Sequence, residues 1–125
     1  AIKYASENGH TDVVKLLLEQ THVEPSADNN YAIRYASENG HTDVVELLLK
    51  HPRVNPADQD NYAIKRASRN GHTDVVELLV EYSNVNGNIC AALYALHFEH
   101  FHIVKILLKH SVDDNACPMT YWDGF

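Results

Sequence analysis

Nine histidines in 125 residues are the first candidates for chemistry, because imidazole is the commonest protein metal ligand and titrates nearest neutral pH. His97, Glu99, His100 and His102 crowd into HFEHFH at residues 97–102, where nitrogen and oxygen ligands could meet. The spacing matches neither a His-Glu-x-x-His helix nor a Cys/His finger. His10, His41 and His72 recur every 31 residues. Spread over packed helical units they stand roughly 8–10 Å apart, whereas zinc ligands converge to about 2 Å from one ion. Asp58 and Asp60 fall in a polar connection where nothing raises a carboxyl pKa, and no glycine-rich phosphate loop is present. No metal, cofactor, small-molecule substrate or enzymatic activity is expected.

The elements that must position these groups are repeated ones. SENGHTDVV occupies residues 6–14 and 37–45 and returns as SRNGHTDVV at 68–76; Gly9, Gly40 and Gly71 keep the interval of 31. An active site needs its constellation once, whereas periods of 20–50 residues mark solenoids whose units bury their apolar faces against one another. A decayed fourth copy, AALYALHFEHFHIVKILLKH at residues 91–110, follows at an offset of 28. Each copy reads as helix, tight turn, helix. Ile33, Ala36 and Ser37 share one face of a short helix that starts near Asn30 or Tyr31, with Asn30 and Asn61 as N-caps. Gly40 supplies the left-handed position that ends it. Thr42 caps the next helix and Asp43 sits in its first turn. Val44, Val45, Leu47, Leu48 and Leu49 make that second helix apolar almost all round, so neighbours must cover it on both sides. The connections THVEPSADNN and HPRVNPADQDN favour an extended arm with a turn, able to pair loosely with the next arm.

Composition narrows the function further. The net charge of −7 argues against nonspecific attraction to nucleic acid or to an anionic membrane, and no apolar run reaches the roughly 20 residues of a spanning helix. The sequence opens inside a repeat, without methionine or a signal peptide, as a piece of a longer chain would. Cys90 and Cys117 stand far apart with no partner at ligand spacing, which points to reduced thiols and an intracellular setting, cytoplasmic or nuclear.

Ala36, Gly40, His41, Val44, Val45, Leu47, Leu48 and Leu49, followed by Val54 and Asn55, resemble the ankyrin repeat, whose pattern reads T-P-L-H-x-A-A-x-x-G-H-x-x-V-V-x-L-L-L. The resemblance covers residues 1 to about 110. It implies an all-α solenoid of ankyrin type, stacked helix-turn-helix repeats joined by short hairpin arms. We read residues 1–125 as a single domain, with repeats at about 1–30, 31–61, 62–88 and 89–112 and a tail at 113–125. The Thr-Pro-Leu-His stretch is replaced by Tyr-Ala-Ile-Arg at 31–34 and Tyr-Ala-Ile-Lys at 62–65, which removes the family's Thr/His pair, and the shorter period implies a trimmed arm. The resemblance also implies that His10, His41 and His72 hydrogen-bond backbone in the arm, and that Ser6, Ser37 and Ser68 are buried small residues, not nucleophiles. Glu99 stands at the turn glycine of the fourth copy; in the same backbone it costs about 1 kcal/mol. Met119, Tyr121, Trp122 and Phe125 give the tail the means to cover the last apolar helix, unless further repeats follow.

Differences between copies point to function. Over the first eighteen residues, copies one and two differ only at Lys3/Arg34 and Lys15/Glu46, while copy three departs at Lys65, Arg66, Arg69 and Val80. Three of those four lie on one face of the first helix. In proteins of the resembled family that face lines a concave surface that holds a partner protein. Carried over, the candidate partner-binding residues are Tyr4, Glu7, Tyr35, Glu38, Arg66, Arg69, Tyr94 and His97. Asn8, Asn39, Asn70 and Phe98 lie beside them, and Asp28, Asn29, Gln59 and Asp60 are at the arm tips. Tyrosine and arginine dominate interface hot spots, and Lys65, Arg66 and Arg69 suit an acidic patch on a partner. The alternative function is a structural spacer within a larger array.

Overall fold

A computed structural model of the chain describes residues 1–82 and 88–109, with side chains at 1–82 and 90–109. Among these, eight helices and no strand form: α1 (Ile2–Glu7), α2 (Thr11–Leu18), α3 (Ala27–Glu38), α4 (Thr42–Leu49), α5 (Asp58–Arg69), α6 (Thr73–Tyr82), α7 (Asn88–His97) and α8 (Phe101–Lys109). They pack in two layers, α1, α3, α5 and α7 in one and α2, α4, α6 and α8 in the other, with each helix also against its partner in the pair. Val44, Val45 and Leu48 of α4 and Val75, Val76 and Leu79 of α6 are wholly buried, as helices apolar on both sides require. The all-α solenoid expected from the period is the fold.

Each first helix ends in the same two-bond turn. His41 N donates to the Ala36 carbonyl (2.9 Å) and Gly40 N to that of Ser37 (3.2 Å), which satisfies two carbonyls the helix end would leave open. Gly40 at φ 75° makes the turn possible. In the fourth unit Glu99 holds the same left-handed conformation at φ 63°, so the backbone is retained without glycine.

The helix starts differ from expectation. Asp28, Asn29 and Asn30, and then Gln59, Asp60 and Asn61, are left-handed with φ of 54–61°, so right-handed helix begins at Tyr31 and Tyr62. Asn30 does not cap its own helix. It is nearly buried, donates from Nδ2 to Asp58 Oδ2 (2.8 Å) and accepts from Asn55 N at Oδ1 (2.8 Å), tying its arm to the next. Asn61 Oδ1, the atom that would cap, accepts no hydrogen bond. Thr42 is the first helical residue, not a cap. For Asn30 the competing partner is a neighbouring segment that local sequence does not reveal.

Cys90 is buried in α7; the expectation of reduced thiols also rests on Cys117. Cys117 and the tail, with its expected capping role, lie outside the described residues.

Candidate partner-binding face

The first-helix layer is assembled by contacts between adjacent repeats. The three described repeat-to-repeat histidines reach back to the last carbonyl or so of the preceding first helix: His41 Nε2 to Glu7 O (2.9 Å), His72 Nε2 to Glu38 O (2.9 Å) and His100 Nε2 to Arg69 O (3.0 Å). A carbonyl only accepts, so each ring carries its proton on Nε2. The bond goes to a helix end, not to the arm as the resemblance implied. These rings explain the glycines a second time, since a Cβ at Gly9, Gly40 or Gly71 would lie 2.6–2.8 Å from the next repeat's imidazole.

Above this backbone ladder runs a side-chain ladder. Tyr31 donates its hydroxyl to Glu7 Oε1 (2.6 Å), and Tyr62 does the same to Glu38 one repeat later. The carboxylate holds the Tyr31 phenol above the usual tyrosine value; for Tyr62, burial and then Glu38 push it up further. Tyr35 packs its ring 4.3 Å from that of Tyr31 and 5.7 Å from that of Tyr62. The Arg34 guanidinium lies 5.2 Å from both the Tyr35 and Tyr62 ring centres, while its nitrogens donate to the Asn29 and Asp28 carbonyls (2.9 and 3.1 Å). One arginine thus steadies the left-handed arm tip and the aromatic stack together.

Of the candidate residues, Tyr4 is exposed at 69%. Glu7 and Glu38 are half-buried and already bonded to tyrosines, so their carboxylates are structural first. Tyr35, Arg66, Arg69 and Tyr94 are half-buried and His97 is exposed. Arg66 lies over Tyr62 (5.2 Å), Arg69 over Phe98 (5.4 Å), and His97 sets its ring against Phe98 at 4.9 Å. Lys65 is half-buried and its ammonium pKa is lowered, chiefly by that burial. Lys3, Arg34, Lys65, Arg66 and Arg69, half of the ten basic residues, belong to these first helices.

Tyr31, Tyr62 and Arg34 belong to the candidate face, and the comparison of copies did not single them out for it. A signal was present. Where Glu38 gives way to Arg69, the residue at the Tyr62 position of the next copy is Cys90, so acceptor and donor disappear together.

The His97, Glu99, His100 and His102 stretch does not converge, with His100 committed to Arg69 O and His102 exposed on α8. Among the described residues no three His, Cys, Asp or Glu side chains are placed to hold a metal ion, and no helix is long and apolar enough to cross a membrane. Ser6, Ser37 and Ser68 are fully buried, in accord with the packed role.

A family model for ankyrin repeats, in three copies, matches residues 2–89. The chain belongs to the ankyrin-repeat family. No curated protein matches it. The fourth helix pair lies almost wholly beyond the matched range, yet it closes its ankyrin turn with the same bonds, His100 N to Ala95 O (2.7 Å) and Glu99 N to Leu96 O (3.1 Å). Ankyrin repeats are generally protein-interaction modules.

Proposed function

We propose that the chain is a single ankyrin domain, residues 1–125, that binds a partner protein along its first-helix face without catalysing a reaction. The observation that carries this reading is the division of labour on that face. Tyr31 and Tyr62 take up the hydrogen-bonding capacity of Glu7 and Glu38, and the face offers a partner the Tyr4 and Tyr35 rings and the Arg66 and Arg69 guanidinium planes, with Tyr94 and His97 on the same face. Arginines held flat against rings lose little side-chain entropy on binding, which favours affinity from a stiff surface. The partner surface that fits is acidic with aromatic or planar groups; nucleic acid, membrane and small-molecule substrates are not part of the proposal. An intracellular setting, cytoplasmic or nuclear, is part of the proposal, resting on the repeat architecture.

Replacing Tyr35, Arg66 and Tyr94 together by alanine tests it. The helical circular dichroism stays that of the parent while partner binding, measured by titration against whatever the parent retains, falls at least about 100-fold. Unchanged binding by the folded triple variant sinks the proposal. A second reading, a structural spacer, is favoured by the same Tyr31, Tyr35, Tyr62 and Arg34 stack, because rings that engage one another also stiffen an array. The spacer reading predicts that the triple variant binds normally and that deleting a whole repeat does the damage.

A further inference from the structure

The arginines of the chain are used in two ways. Arg53 pairs with Glu24 at 2.8 Å, and Arg34 donates to the Asn29 and Asp28 carbonyls. Arg66 and Arg69 meet rings instead. Arg66 lies 5.2 Å from the Tyr62 ring centre and Arg69 5.4 Å from that of Phe98, and among the described residues neither guanidinium reaches a hydrogen-bond acceptor or a carboxylate. Glu38, at the same junction, accepts from the Tyr62 hydroxyl. Basic groups that hold this fold together find an oxygen in their own or an adjacent repeat, as Lys3 does at Asp28. Arg66 and Arg69 do not, although each guanidinium has five N–H donors.

Their placement suits one anion. Three residues apart on α5, they leave the helix on one face with Cβ atoms about 5–6 Å apart. A ring against each guanidinium restricts its plane and leaves the in-plane N–H edge open. Beside them the Lys65 ammonium pKa is lowered, chiefly by burial and further by Arg66, against the pull of Asp60, so like charges crowd on this turn of helix. A bound anion relieves that crowding. Copies one and two have Tyr4 with Glu7 and Tyr35 with Glu38 at the same two positions, which makes the arginine pair peculiar to the third repeat. One carboxylate is matched by a single fork, whereas a phosphate monoester brings about −1.5 to −2 charge and three acceptor oxygens, enough for two. A nucleic-acid strand fits less well, because each phosphate beyond the first meets a chain of net charge −7. We propose that Arg66 and Arg69 together bind a single phosphate monoester carried on a serine, threonine or tyrosine of the partner protein; this rests on the first-helix face being the binding face and names the group that the third repeat selects.

The test follows arginine Nε–H signals by NMR while the folded 125-residue chain is titrated with the N-acetyl amides of phosphoserine, phosphotyrosine and aspartate, and with dimethyl phosphate. The Arg66 and Arg69 signals are expected to move together and saturate with a phosphomonoester, at an affinity about 10-fold or more above that for aspartate or dimethyl phosphate, while those of Arg34 and Arg53 stay in place. The Arg66→Lys, Arg69→Lys double variant keeps both charges and loses both forks, and should bind the phosphomonoester about 10-fold or more weakly with unchanged helical circular dichroism. No saturable shift, equal affinity for aspartate or dimethyl phosphate, or undiminished binding by the lysine variant overturns the proposal. Phosphatase treatment of a partner held by the parent chain separates this inference from the reading beneath it. Binding should be lost; a dephosphorylated partner that the parent still holds, and that the Tyr35, Arg66 and Tyr94 triple alanine variant releases, overturns the phosphate site and leaves the binding face standing.

Discussion

The first two repeat junctions and the third use one backbone contact and two different side-chain chemistries. His41, His72 and His100 make nearly the same bond to the preceding helix end, at 2.9, 2.9 and 3.0 Å. Above it, Glu7 with Tyr31 and Glu38 with Tyr62 form carboxylate to phenol bonds, while the third junction sets Arg69 over Phe98. The backbone ladder is what a stack must conserve to keep its spacing; the side-chain layer above it is free to change sign, and it does so where the copies diverge. The side-chain chemistry of one junction can thus differ while the backbone contact is kept.

The sharpest way to break that comparison is at the turns. Gly40→Ala puts a Cβ against the His72 ring in a backbone that resists one, and should cost about 2 kcal/mol or more in urea unfolding. Glu99→Gly, at the turn with no described histidine following it, should instead stabilise by about 1 kcal/mol. Like signs for the two variants would mean that Glu99 does not sit in a glycine-type turn.

A smaller effect compares the helix interiors. Ser6, Ser37 and Ser68 bury hydroxyls that find no partner, whereas Leu96 at the same position of the fourth unit is 49% exposed. Ser37→Ala should raise stability by about 1 kcal/mol, because an unmet buried hydroxyl is desolvated for nothing. A loss on the same unfolding curve would show that Ser37 has a bond after all.

The smallest effect separates the junction chemistries by pH. The folded chain holds the Tyr31 and Tyr62 protons more tightly than the unfolded chain, whose phenols ionise near pH 10. Their contribution is therefore complete below about pH 10 and is lost as pH rises from there toward the folded values. Lys65, lowered by burial, acts in the opposite sense near the same pH, so the useful measurement is parent against the Tyr31→Phe, Tyr62→Phe double variant, in which Lys65 cancels. The parent should lose stability more steeply above pH 10. Parallel curves would remove the carboxylate to phenol bonds from the account of these junctions.

Much of this was legible along the chain. The 31-residue period, the Gly40 turn, the buried Ser37 and the two-sided burial of Val44 and Leu48 are local or periodic signals, and one repeat's pattern carries over to the next. Tyr31 and Tyr62 were harder to see, because their partners Glu7 and Glu38 lie 24 residues away and come into reach only when repeats stack. Asn30 was misread as a helix cap for the same reason: its acceptor and donor, Asp58 and Asn55, belong to the next arm.

By itself the amino-acid order determined that helix pairs would form and that they would have to stack, since backbone preferences at glycine and asparagine and the apolar girth of α4 and α6 are properties of short segments. Tertiary structure alone decided which polar groups are consumed in holding the stack and which side chains of the first-helix layer stay exposed. The physical reason is that a hydrogen bond, or a collision between a Cβ and an imidazole, depends on distances of a few ångströms between residues in different repeats, and those distances exist only once the helices have packed.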